Sequence, residues 1–155
     1  ASNFQASFGV VVFQLFIAIG RFYSDYLVLS IGRIKLLKLS GILSAIGLII
    51  VSISPIFLST SFNLYLIVCI IGFGCSGCGL SVVYPTCISI AGNCISGMKT
   101  SEAIAFVSSI GYVGVMVGPP VLGGLSLVIS LQYSFLFDGA ILALMTVLAF
   151  FLESS

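Results

Sequence analysis

Five apolar runs, at about 2–22, 36–57, 63–88, 103–125 and 134–152, occupy most of this 155-residue chain. Each matches or approaches the roughly 20 residues that carry a helix across a hydrocarbon core. A strand of a membrane barrel would alternate apolar and polar residues over roughly ten positions. Runs such as 42–51 and 113–117 do not alternate. A soluble fold is excluded by composition: only 6% of residues are charged, whereas a water-exposed surface takes roughly a quarter. The expected fold class is an all-α polytopic membrane protein with five transmembrane helices.

The charges orient such a bundle. Arg21, Arg33, Lys35 and Lys38 lie between the first two runs, and Lys99 lies between the third and fourth. Basic residues are retained on the cytoplasmic side, so both links are expected to be cytoplasmic loops. The uncharged links at 55–62 and about 126–133 then lie outside. The N-terminus is expected outside and the C-terminus, with Glu153, in the cytoplasm, across a plasma or inner membrane. Thr100 or Ser101 is expected to cap the fourth span, with Glu102 against the positive end of its dipole. The first run is span-length, lacks a basic leader and is followed by more spans, so no cleavable signal is expected. The chain opens on Ala1 rather than Met and reads as a piece of something longer. A net charge of +1 argues against nucleic acid as a partner and leaves lipid as the first one.

Several motifs suggest chemistry. Gly72-Phe73-Gly74-Cys75-Ser76-Gly77 matches GxGxxG, but a dinucleotide site needs a strand-to-helix turn and an acid about 20 residues on. The position is mid-run and Asn93 is no such acid, so Gly72, Gly74, Gly77 and Gly79 read as helix-packing residues. Cys75 and Cys78 form CxxC without any His in the chain. Cys87, nine residues on, is roughly 13 Å away along a helix. No metal and no cofactor is expected, and Cys69, Cys75, Cys78, Cys87 and Cys94 read as small packing residues. With no nucleophile–base pair either, no enzyme is expected.

Asp138 is an acid well inside an apolar run, which makes it a candidate for coupling to H+ or Na+. It also lies near an outer end, where reaching interfacial water or pairing with a helix is the favoured reading over coupling. An Asp at mid-span costs about 2.5–3.5 kcal/mol, and the Leu, Ile, Val and Phe residues from Phe135 to Leu152 return roughly 3–7 kcal/mol. Insertion therefore needs no partner for Asp138. Gln5, Gln14, Ser108, Ser109 and Tyr112 are uncharged polar groups that either line a solute cavity or bond across helices. Gly114 and Gly118 form GxxxG, a close-approach face. Pro119 and Pro120, followed by Gly123, remove two backbone donors and suit a bendable packing helix.

At this point the chain resembles half of a major facilitator superfamily (MFS) transporter. Gly20-Arg21-Phe22-Tyr23-Ser24-Asp25 through Gly32-Arg33-Ile34-Lys35 is similar to that family's cytoplasmic loop signature, and Gly118-Pro119…Gly123-Gly124 to its Gly-Pro signature. The resemblance implies a conformational latch from Gly20, Arg21, Asp25, Gly32 and Arg33, with Asp25 as the latch acid. Relative to the usual signature, Asp25 stands one residue further from Gly20 and the Asp-to-Gly spacing is longer, a form that resembles a sugar-permease-like branch. The resemblance further implies five helices of a six-helix half-bundle, taken as helices eight to twelve, with two to six as the alternative. Spans one, three and four would face inward, and two and five outward, which puts Asp138 on an outer helix. The implied function is secondary active transport, as symporter or antiporter, of a small solute such as a sugar, by alternating access. The other half of the same transporter is the implied partner. A non-transporting scaffold or receptor on the same bundle is the rival expectation.

Overall fold

In lipid, backbone donors and acceptors must be satisfied inside their own segment, which leaves helix as the solution for a chain without barrel strands. The computed structural model describes residues 3–59, 61–94 and 99–151, with side chains over 9–57, 61–92 and 99–150. The elements run α1 (Asn3–Ile31), α2 (Arg33–Ile53), a 3-10 helix (Ser54–Ser59), α3 (Phe62–Cys94), α4 (Thr100–Val128) and α5 (Leu131–Phe151). No strand occurs among the described residues. Each of the five α-helices is long and apolar enough to cross a membrane.

The helices overrun the apolar runs, and this corrects one expectation. The link from Arg21 to Lys38 is not a loop, because α1 continues to Ile31 and α2 begins at Arg33. Nothing between Arg21 and Ile31 breaks a helix: that stretch holds neither Gly nor Pro. Charge marks where a bilayer ends, not where backbone hydrogen bonding ends. The single break falls at Gly32, whose φ of +87° is open to glycine without strain. The link expected at 126–133 likewise contracts to Ile129–Ser130, with Ser130 at φ +120°. A second correction concerns the cap of α4. Lys99 holds the N-cap position and makes no side-chain bond there, so Thr100 and Ser101 already belong to the helix. Glu102 does lie in the first turn.

The core is a seam between α2 and α3 made mostly by side chains that are missing. A Cβ on Gly47 would come within 2.6 Å of the Gly72 carbonyl oxygen, and one on Gly79 within 2.6 Å of the Ser40 carbonyl oxygen. Backbones this close allow dispersion contact along the whole seam, the main cohesive term between helices in lipid. Many of the buried hydroxyls fit because they bond within their own helix. Ser44 Oγ donates to the Ser40 carbonyl at 2.7 Å, Thr86 Oγ1 to Val82 at 2.6 Å and Thr146 Oγ1 to Leu142 at 2.9 Å. A satisfied hydroxyl presents little more than a methyl-sized bump to its neighbour. The GxGxxG string lies wholly inside α3 and serves this packing.

Neighbouring helices alternate in direction. Gly41 touches Thr146, and Ser52 Oγ donates to the Gln132 carbonyl at 3.0 Å, so α5 runs antiparallel to α2. Gly92 lies near Thr100 and Gly111 near the Tyr84 ring, so α4 runs antiparallel to α3. Helix α1 runs parallel to α3, with Gly9 against Phe73 and Gly20 against Ser81. This alternation brings Arg33, Lys35, Lys38 and Lys99 to one end of the bundle.

Candidate functional site

Of the proposed latch residues, Gly20, Arg21 and Asp25 lie along the second half of α1, and Gly32 and Arg33 lie at the α1–α2 junction. Gly20 meets Ser81 of α3, where a Cβ would stand 2.7 Å from the Ser81 Cβ. Only a residue without a side chain fits that crossing. Arg21, Asp25, Gly32 and Arg33 are all exposed. Among the described residues, Asp25 forms no ion pair with Arg21 or Arg33. The structure therefore strings the five residues over the second half of α1 and the start of α2, with Gly20 about 18 Å of helix from Gly32, and leaves their charges exposed.

Sequence reasoning treated Lys38 as one more loop cation, and it is not. Lys38 is 7% exposed in α2, with its Nζ 4.2 Å from the centre of the Phe150 ring near the end of α5. A cation over an aromatic face is held by the ring quadrupole, and the lysine stem fills apolar space on the way. The flanking Leu36, Leu37 and Leu39 were the available signal.

Two depressions mark the surface. One, of about 450 Å³, is lined by Gln14, Ile17, Ala18, Arg21 and Phe22. Every lining residue belongs to α1, and Gln14 and Arg21 lie seven positions apart, on one helical face. The side chain of Gln5 lies outside the described residues. The second, of about 370 Å³, sits at the α1–α2 junction and is lined by Ile31, Gly32, Arg33, Ile34, Lys35 and Ile90.

The candidates on α4 are placed differently. Tyr112 is 70% exposed, Ser108 is half-buried, and the exposed Ser109 donates to the Ala105 carbonyl at 2.8 Å. Among the described residues, Gly114, Gly118 and Gly123 have nothing within 4 Å of where a Cβ would stand. Helix α4 stays continuous through the exposed Pro119 and Pro120. The Gly111–Tyr84 contact puts Tyr112 level with the C-terminal half of α3, whereas Phe13 stacks edge-on against Phe73 at 6.3 Å. Gln14 and Tyr112 thus differ by roughly two helical turns of α3, about 12 Å. They do not converge on one point.

Asp138 is half-buried, eight residues into α5 and so about two turns from its N-terminal end, next to Gly139, which lies against Leu48 of α2. Sequence reasoning also passed over Ser76. Its hydroxyl is fully buried at the α2–α3 seam and has no hydrogen-bond partner.

The whole chain, residues 1–155, matches the family model of the Major Facilitator Superfamily. It is 36% identical over 131 residues to an uncharacterized MFS-type transporter of Yersinia pestis, an alignment covering 84% of this chain and 32% of that protein. It is 30% identical over 131 residues to the membrane protein MosC of Rhizobium meliloti, covering 84% of this chain and 30% of that protein. The chain thus spans about a third of the length of the curated relatives it matches. No solved structure matches it significantly. With five membrane-length helices and a family match from end to end, this chain belongs to the major facilitator superfamily and is an integral, multi-pass membrane protein.

Proposed function

We propose that this chain forms part of a secondary active transporter that works by alternating access. The observation that carries this reading is an asymmetry of cover. Helix α2 buries eleven residues, from Leu36 to Ser52, whereas Ala103 is the one buried residue of α4. The polar candidates Gln14, Arg21, Ser109 and Tyr112 and the glycines of α4 all lie on the open helices α1 and α4. Two bundles that rock about a central site need such thin, uncovered helices where they meet, with solute-binding groups at the midplane.

In this reading the chain supplies helices eight to twelve, and the other half of the same transporter covers α1 and α4. Gln14 and Arg21 contribute one wall of the solute path. Asp25 and Arg33 latch the cytoplasmic side. The end of the bundle that carries Arg33, Lys35, Lys38 and Lys99 lies at the cytoplasm, with the N-terminal end of the chain outside. The substrate class is a small polar solute, a sugar first, driven by H+ or Na+.

The test is uptake by the full-length protein in proteoliposomes, across a panel of sugars, with and without a pH or Na+ gradient. Accumulation of one solute that collapses with its gradient is the expected result. A correctly inserted protein that accumulates none of them under any gradient refutes the transporter reading.

A further inference from the structure

We propose that the depression at the α1–α2 junction binds the headgroup of an anionic phospholipid. Its lining combines two chemistries. Arg33 and Lys35 supply positive charge, and Ile31, Ile34 and Ile90 supply an apolar floor. No acidic residue lines it, and neither cation is paired within the described residues. A soluble anion would use the charges and leave the isoleucines wet, whereas a phospholipid uses both.

Arg33 and Lys35 are exposed in the first turn of α2, whereas Lys38, about one turn on, is buried against Phe150. The exposed pair is free to meet an anionic leaflet, toward which each cation near the surface is worth roughly 1 kcal/mol. Ile90 on α3 closes the far wall, so the site is a fold between three helices and not a row of surface lysines. This inference does not depend on the transport reading.

The experiment uses the full-length protein in nanodiscs of phosphatidylglycerol and phosphatidylcholine, with retained lipid counted by native mass spectrometry. Folding of each variant is checked by size-exclusion profile. Wild type should retain phosphatidylglycerol over phosphatidylcholine. The R33Q/K35Q double variant should lose that preference by about fivefold for each cation, the equivalent of roughly 1 kcal/mol apiece. Ile90→Trp, which keeps both charges and fills the depression, should lose it too and decides the matter if the double variant does not fold. Lys99→Gln should retain it. Unchanged retention in either site variant overturns the proposal, as does equal loss in Lys99→Gln, which would mean diffuse attraction. Displacement of the lipid by excess inorganic phosphate would also overturn it, in favour of a soluble anion.

Discussion

Helices α2 and α4 look alike on paper and end up in opposite surroundings. Both are long apolar segments with glycines spaced for close approach. In α2, Gly41 and Gly47 are covered by α5 and α3, and the helix is the centre of the packed core. In α4, Gly114, Gly118 and Gly123 face open space among the described residues, and the N-terminal half of the helix leans on α3. A glycine pattern licenses contact between backbones without naming the partner. In α2 the partner lies within this chain. In α4 it does not, and the transporter reading assigns it to the other bundle.

The largest effect expected from this contrast comes from filling both faces. Gly47→Val drives a side chain into the backbone of α3 and should destabilise the bundle by about 1–3 kcal/mol or prevent its assembly. Gly118→Val should leave thermal stability as it was and abolish uptake. Equal melting losses in detergent for the two variants would erase the distinction between covered and open helices. Next in size, Asp25→Lys should cut uptake at least tenfold while membrane insertion, read by cysteine accessibility, is kept. Wild-type uptake in that variant would remove the latch.

A smaller and opposite change is expected within the core. The Ser76 hydroxyl is buried without a partner, and such a group carries a desolvation cost of about 1–3 kcal/mol. Ser76→Ala should therefore raise the unfolding midpoint modestly, and a lower midpoint would mean that the hydroxyl has a partner after all. The smallest effect is expected at Asp138, because α5 packs on α2 and not on the open helices. Asp138→Asn should keep uptake within about twofold. Loss of gradient dependence in that variant would instead make this carboxylate the coupling group.

How far the chain could be read in advance differed by element. The helices, their number and their common direction of charge were legible because hydropathy and the Lys/Arg distribution respond to the bilayer alone. The ends of α1 and the caps of α4 were not. Residues 22–31 hold neither Gly nor Pro, so hydropathy stopped at Arg21 while hydrogen bonding ran on to Gly32. Lys38 was misjudged for the same reason: its charge pointed to a loop, and its burial depends on Phe150, more than a hundred residues away. The latch residues were legible as a motif, whereas the two depressions and the orphaned Ser76 were not, since each depends on which helix lies opposite.

By itself, then, the sequence determined that this chain is a set of membrane-length helices with its cations confined to the links and helix segments between the first and second and the third and fourth apolar runs. Apolar length and charge placement are local quantities, and lipid leaves backbone no other way to satisfy its hydrogen bonds. Only the tertiary structure decided which glycines touch backbone and which face outward, that Lys38 is buried, and that Arg33, Lys35 and Ile90 share one recess. Those outcomes rest on pairings between distant helices, where shape complementarity acts in place of the hydrophobic effect, and no single segment carries that information.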